Sequence, residues 1–349
     1  MLDKLIGHLA AAKALTDEQV RLAVELLVDE AVPAAAKAEF LTCLAGKGET
    51  PSEITAFARE LRSRAVQPVW DGESYTGVTL DVVGTGGDRL STFNISTTVA
   101  LLAAAAGVRV AKHGNRASTS TIGSADVMEA LGIPFDLGPA EAVRSLREHG
   151  FAFFFAPKYH PAFQHIIPAR RLCAARGQST IFNFLGPLLN PAQPSAALVG
   201  VPRPELCEPL ACVLQSLGVR RAMVVCGAVR GEDGAVRHLD ELSPLGPTTI
   251  AEFYQERALT CSTLPAEAFP LQAATLADLR GGDREVNASI IRRVLQGEER
   301  GPKRDAVLVN AAAALFVADR TRSMAEGWEL AAETIDSGRA GAKLAELQK

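Results

Sequence analysis

Val78–Val83 has the apolar character of a buried strand and runs straight into Gly84-Thr85-Gly86-Gly87-Asp88. An alanine-rich stretch, Ser96–Ala106, follows and reads as a helix buried on all sides. A strand, a glycine turn and a helix with no polar face fit together only where a sheet is covered by helices. The pattern recurs. Arg109–Ala111 is a second short strand ending in Lys112-His113-Gly114-Asn115-Arg116, and a helix opens near Ser124. Phe151–Phe155, Ala196–Val201 and Ala222–Cys226 are further strand candidates with helical segments between them. Strands alternating with helices predict an α/β domain with a mostly parallel central sheet.

The first 65 or so residues have a different period. Thr16-Asp17-Glu18-Gln19 has the spacing of a capping box, and Val20, Val24 and Leu27 follow at helical intervals. Thr50-Pro51-Ser52-Glu53 combines a cap with proline at the first helical position, before the apolar stripe Ile54, Phe57, Ala58 and Leu61. Gln67-Pro68 through Gly77 reads as a linker. At 349 residues the chain exceeds the size at which a single core stops growing, about 250–300 residues, so two domains are expected.

Composition removes several classes of function. With 36 basic and 40 acidic side chains the chain lacks the cationic surplus of a general nucleic-acid binder. Its longest apolar run, Val99–Val108, is too short to span a membrane, and Met1-Leu2-Asp3-Lys4 does not begin a clear targeting signal, so a cytoplasmic protein is expected. Cys43, Cys173, Cys207, Cys212, Cys226 and Cys261 are scattered without a CxxC pair and read as reduced core thiols.

Two segments carry chemistry. In the first, glycines let backbone N–H groups approach a ligand, and the start of the following helix favours negative charge. Ser91, Thr92, Asn94, Ser96 and Thr97 add short polar groups. The segment is suited to a phosphate or diphosphate, although a tight turn with hydroxyl caps would look similar. It has neither P-loop nor dinucleotide-fold spacing. The second is Lys112–Thr121 with Gly123-Ser124, in which cationic and donor side chains stand beside four consecutive hydroxyl residues. Two such loops at strand ends favour one polyanion site over two solvated loops.

GTGGD-RLSTFNIST (Gly84–Thr97), KHGNRASTSTIGSADVMEALG (Lys112–Gly132), FFFAPKYHPAF (Phe153–Phe163) and TIFNFLGPLLNPA (Thr180–Ala192) closely resemble the anthranilate phosphoribosyltransferase family. HLDELS (His238–Ser243) and VLVNAAAALFVAD (Val307–Asp319) add to the resemblance, which runs over nearly the whole chain in order. It implies transfer of phosphoribosyl from phosphoribosyl diphosphate (PRPP) to the amine of anthranilate, with release of diphosphate, in tryptophan biosynthesis. It also implies a small all-helical domain, residues 1–70 with returning segments within about 160–195, and a larger α/β domain, residues 75–349. The active site is then expected in the hinge cleft, and the chain as a homodimer.

The resemblance places PRPP at Gly84, Gly87, Asp88, Thr92, Asn94, Ile95, Ser96 and Thr97, and at Lys112, His113, Gly114, Asn115, Arg116, Ala117, Ser118, Thr119, Ser120 and Ser124. It places anthranilate at Gly84, Asn115 and Arg170, with Arg171 the alternative to Arg170. It places Mg²⁺ at Ser96, Asp240 and Glu241. Mg²⁺ prefers hard oxygen ligands, and a guanidinium can hold a carboxylate in a fork. No residue stands out as a general base, and His113 either assists or orients its loop. Tyr159-His160 and His165 either line the acceptor's entrance or pack the hinge. The chain departs from the family pattern at Arg89, where glycine is common, and at Ser179, where arginine is frequent. Its segments Cys173–Gly177 and Gly227–Arg237 are longer. The competing readings are a phosphoribosyltransferase for another aromatic amine, a nucleoside phosphorylase of the same fold, and a non-catalytic relative that binds nucleic acid.

Overall fold

Four helices open the chain: α1 (Leu2–Ala10), α2 (Asp17–Val28), α3 (Ala34–Lys47) and α4 (Pro51–Ser63). Both anticipated capping boxes form. Thr16 Oγ1 accepts from Gln19 N while Gln19 Oε1 accepts from Thr16 N, and Thr50 and Glu53 reciprocate in the same way. Val20, Val24 and Leu27 lie fully inside. Glu53 also accepts from Leu15 N and pairs with Lys47 at 2.7 Å, so one carboxylate joins three parts of the bundle.

The computed structural model describes residues 1–70, 77–117, 122–231 and 234–349. Most of the proposed linker and Ser118–Ser120 lie outside the described residues. The α/β part then runs β1 (Thr79–Gly84), α5 (Ile95–Ala105), β2 (Arg109–Gly114), α6 (Ser124–Leu131), α7 (Pro139–Glu148) and β3 (Phe151–Phe155). It continues through α8 (Ala156–Tyr159), α9 (Ile167–Ala175), β4 (Ala196–Gly200), α10 (Cys207–Ser216) and β5 (Arg221–Arg230). After β6 (Val236–Leu239), β7 (Thr248–Tyr254) and β8 (Thr260–Leu264), the chain ends in α11 (Arg284–Leu295), α12 (Pro302–Val317), α13 (Met324–Asp336) and α14 (Arg339–Leu347).

The sheet order is β3-β2-β1-β4-β5-β7-β8. The first five strands are parallel, whereas β7, β8 and β6 are joined antiparallel, β6 pairing with the far half of β5. The segment read as a long loop at Gly227–Arg237 is therefore largely strand, with Gly227 opposite Leu239 and Arg230 opposite Val236. Its Gly, Ala and Arg content hid the extension, because β propensity depends on what a strand packs against.

Alternation along the strands divides the packing. Leu80, Val82, Leu198 and Val225 share a core with α5 and α12. Ala197, Val199, Ala222 and Val224 share another with α10 and with Phe57 and Leu61 of the bundle. Ile166, Ala169, Cys173, Ile181, Phe182 and Leu185 join this second core. Lys37 Nζ donates to the His165 carbonyl at 2.9 Å, tying α3 to the segment before α9. The bundle thus covers the sheet face opposite α5. Cys173, Cys207 and Cys226 are buried, but Cys261 on the outer strand is exposed and is no core thiol. Among the described residues no helix is long and apolar enough to cross a membrane.

Candidate functional site

β1 delivers its glycines into a turn with an unusual density of left-handed residues: Gly86 (φ +73°), Gly87 (+91°), Arg89 (+57°) and Ser91 (+56°). Side chains disfavour this region by about 1–2 kcal/mol, so surrounding contacts must hold Arg89 and Ser91 there. Ser91 O accepts from Gly281 N at 3.0 Å, Phe93 N donates to Leu279 O at 3.1 Å, and Thr92 bridges to Arg280. Asn94 joins three segments: its Nδ2 donates to Ile122 O, and its Oδ1 accepts from Asn287 Nδ2. It is a structural clamp here as well as a candidate ligand. Asn94 does not cap the start of α5 with its own side chain, and the Thr97 hydroxyl inside the first turn is buried without a partner among the described residues. A helix start favours negative charge, and here the Glu241 carboxylate already accepts from Ser96 N.

Asp240 and Glu241 come from the turn after β6 and cross the C-terminal ends of the parallel strands. Asp240 Oδ2 accepts from Gly86 N at 2.7 Å, and Glu241 Oε1 accepts from Ser96 N at 3.1 Å. The crossing requires glycine. A Cβ on Gly200 would lie 1.5 Å from Asp240 O, one on Gly84 2.4 Å from Asp240 Oδ2, and one on Gly227 2.6 Å from Glu241 O. Asn310 of α12 holds the crossing from below, accepting from Leu242 N and donating to Leu242 O.

Burial and the neighbouring Asp88 push the Asp240 carboxyl up to about 7. Burial, then Asp240, lifts Glu241 well above the usual range, and burial raises Asp88. Asp88 Oδ2 is buried and has no hydrogen-bond partner among the described residues. Among the described residues no three His, Cys, Asp or Glu side chains converge as a complete metal cage. The donors nevertheless fit Mg²⁺, which binds through one or two carboxylates with substrate phosphates and water completing the shell. Crowded carboxylates with an unpartnered oxygen are stabilised when a cation joins them.

The second loop is less open than its composition suggested. Lys112 is buried, with Nζ donating to Val82 O at 2.6 Å and its charge facing Asp81 and Glu241. Arg116 is exposed but occupied: it pairs with Asp126 at 2.7 Å and Glu129 at 3.1 Å and lies over the Phe135 ring. Asn115 is exposed, with its carbonyl accepting from Ala125 N and Ser124 Oγ. Gly114 and Gly123 permit this closeness, since a Cβ on either would meet Ser124 Oγ or the Ala117 N at 2.3 Å. His113 lies beneath the loop with Nδ1 3.1 Å from Gly186 O. A carbonyl can only accept, so Nδ1 carries the hydrogen. Burial, reinforced by His160, lowers its pKa to about 3. A histidine so placed is neutral and orients its loop.

On the bundle side the site is aromatic. The His113 ring meets His160 edge-on at 5.4 Å, His160 stacks on Phe163 at 4.9 Å, and Phe163 meets Phe182 at 5.9 Å. The Arg170 guanidinium lies over Phe182 at 5.7 Å. It is half-buried, without a carboxylate partner among the described residues, and burial lowers its pKa. Arg171 is exposed. Tyr159 is buried, its hydroxyl donating to Leu137 O, and His160 Nε2 donates to Leu189 O. Both are packed into the junction, and the His160 ring also forms part of the aromatic wall.

Residues 3–65 match the helical bundle domain of the glycosyl transferase family, and residues 76–341 match its a/b domain. An anthranilate phosphoribosyltransferase of Symbiobacterium thermophilum is 47% identical over 96% of this chain and 94% of its own. That of Geobacter sulfurreducens is 43% identical over 99% and 98%. The chain belongs to the anthranilate phosphoribosyltransferase family. The crystal structure of the Thermus thermophilus enzyme superposes with a TM-score of 0.85 at 40% identity, covering 99% of this chain and 98% of that one. The Saccharomyces cerevisiae enzyme in complex with PRPP and Mg also superposes with a TM-score of 0.85, at 27% identity over 99% and 96%.

Several positioning residues of this family member escaped the sequence reading. Asp81 accepts from His113 N and Asn190 Nδ2, and Asn190 also donates to Ala111 O. Asn310 and Asn287 serve the two phosphate-side segments. Asp81 and Asn310 carried a signal, a lone polar residue within an apolar run (VTLDVVG and VLVNAAAALF), because a buried polar group needs a partner; Asn287, among polar neighbours, carried none.

Proposed function

We propose that the chain transfers the phosphoribosyl group of PRPP to the amine of anthranilate, releasing diphosphate, as a cytoplasmic homodimer serving tryptophan biosynthesis. The observation that carries this reading is the assembly of the strained glycine turn, the start of α5 and the Asp240-Glu241 pair at one end of the parallel sheet. Full-length likeness to anthranilate phosphoribosyltransferases supports it.

Backbone N–H groups of residues 84–97 that are not already bonded within the fold, with those of the 112–124 loop, would bind the phosphates of PRPP. Asp88, Asp240, Glu241 and Ser96 would hold Mg²⁺, which when bound supplies charge neutralisation on the leaving diphosphate. Arg170, unpaired and half desolvated, is suited to the anthranilate carboxylate, and Asn115 to orienting the ring. The aromatic amine is already a neutral nucleophile. Alignment of that amine with the ribosyl carbon and stabilisation of the departing diphosphate therefore carry the rate, through an oxocarbenium-like state. His113 fixes the loop through Gly186 O and moves no proton. Approach of the bundle to the α/β body would exclude water and suppress hydrolysis of PRPP.

The test is loss of anthranilate fluorescence on mixing protein, PRPP and Mg²⁺. Loss that requires all three supports the reading. PRPP binding without loss points to another aromatic amine, and absence of both overturns the enzymatic reading.

A further inference from the structure

Three cations of the helical bundle are withdrawn from water, and two obey the rule that a buried charge is paired. Lys37 Nζ donates to the carbonyls of Asp29 and His165, and Lys47 pairs with Glu53. Arg62, in the last turn of α4, is the exception. Its Nε is buried without a partner, and its guanidinium makes no ion pair or side-chain hydrogen bond among the described residues. The charge of Asp81 acts on it, but from beyond ion-pair distance.

Across the junction stands the complementary defect. His113 uses Nδ1 on Gly186 O, which leaves Nε2 as a bare lone pair, buried and without a partner among the described residues. Arg62 is near enough to oppose protonation of both His113 and His160. Val66 N, just beyond α4, donates to Tyr159 O at 2.8 Å, which brings the end of α4 against the segment carrying His160, whose ring lies 5.4 Å from that of His113. An unmatched donor on the bundle thus lies in the same junction as an unmatched acceptor on the body, and each carries a desolvation cost that a hydrogen bond would remove. We infer that Arg62 is a positioning residue: as the bundle closes over bound substrates, its guanidinium donates to His113 Nε2 and locks the Lys112–Asn115 segment beneath the acceptor. The inference rests on the transferase reading above. The low pKa of His113 supports it, since only a neutral imidazole has this lone pair to offer.

The test compares Arg62→Met, which keeps the length but removes donor and charge, with Arg62→Gln, which keeps an N–H donor. The expected result is a 10–100-fold loss of kcat in Arg62→Met, with KM for PRPP within twofold of wild type, and recovery of most of that loss in Arg62→Gln. A purely structural role would lower thermal stability and leave kcat of the folded fraction unchanged, which overturns the inference. So does a rise in KM for anthranilate at unchanged kcat, which would make Arg62 a direct partner of the substrate carboxylate. Nitrogen-15 NMR of the His113 ring in wild type supplies a readout independent of turnover and of variant folding. Saturation with PRPP, Mg²⁺ and benzoate, an acceptor lacking the amine, should move the Nε2 resonance toward the hydrogen-bonded position. An unmoved resonance overturns the inference even if the enzyme is active. If wild type consumes no anthranilate, the transferase reading fails, and the same spectrum, taken with PRPP and Mg²⁺ alone, decides the Arg62–His113 contact.

Discussion

The two halves of the site are built by different means. The phosphate half is made largely of backbone: four left-handed residues in one turn, a helix start whose Ser96 N–H is held by Glu241, and glycines at strand ends pressed by the Asp240-Glu241 crossing. The acceptor half is made of side chains brought from far apart: His113 from β2, His160 and Phe163 around α8, Arg170 from α9 and Phe182 just beyond it. A backbone site fails when geometry is obstructed, whereas a side-chain site loses one contact at a time. Substitutions in the two halves should therefore differ in kind as well as in size.

The largest effect is expected from Gly200→Ala, because the new methyl would collide with backbone rather than with a movable side chain. Urea unfolding should show a loss of about 3 kcal/mol or more, with activity gone. Gly84→Ala meets a carboxylate that can rotate, so it should fold and yet lose activity. Equal, mild effects of both would break the claim that the crossing organises the phosphate half. Next is the acid response of the acceptor half. Burial lowers the His160 pKa to about 4, against about 6.5 in the unfolded chain. Below pH 6.5 the unfolded state binds the extra proton, so stability present at neutral pH is lost as pH falls. Between pH 8 and pH 5 this amounts to about 2 kcal/mol; His113, with a pKa of about 3, adds a similar amount over the same window, so His160→Gln should remove only its own share of the slope in pH-dependent urea melts.

Arg170→Ala should raise KM for anthranilate about 10–100-fold, the worth of a charged hydrogen bond, and leave PRPP affinity from calorimetry unchanged. A parallel loss of PRPP affinity would merge the two halves into one. The smallest effect is expected from Thr50→Ala, which removes the α4 cap. It should cost about 1 kcal/mol in thermal unfolding without altering kcat, which would mark the bundle's caps as independent of both halves.

The same contrast explains what could be read in advance. The phosphate half is local, so a strand, a glycine turn and a helix start stood in the sequence within 78–97, and β1, β3 and α5 fall where the pattern put them, whereas β2 runs three residues further, through Lys112-His113-Gly114, which read as the start of a loop. The paired carboxylates were visible only through resemblance, because Asp240-Glu241 without the crossing glycines is an ordinary acidic pair. Lys112 and Arg116 read as open cations, but one is buried against Val82 O and the other is bound to Asp126 and Glu129. Periodicity reports which face is apolar and says nothing of such partners. The antiparallel strands β6–β8 were missed, although the Thr, Ile, Phe and Tyr of β7 are strand formers; exposed β6 and β8 are strands chiefly by virtue of their neighbours. Arg62 passed as one polar residue on an amphipathic helix, since nothing local distinguishes a buried guanidinium from a solvated one.

The pairing of β5 with β6 has a consequence for assembly. Gly227 opposite Leu239 is the register that sends Asp240 to Gly86 and Glu241 to Ser96. A slip of one residue would turn every side chain of β6 to the other face and offer each carboxylate to the wrong loop. The hairpin thus acts as a gauge for the whole centre: a molecule could possess every strand and helix in place and still be chemically silent for want of one correct rung.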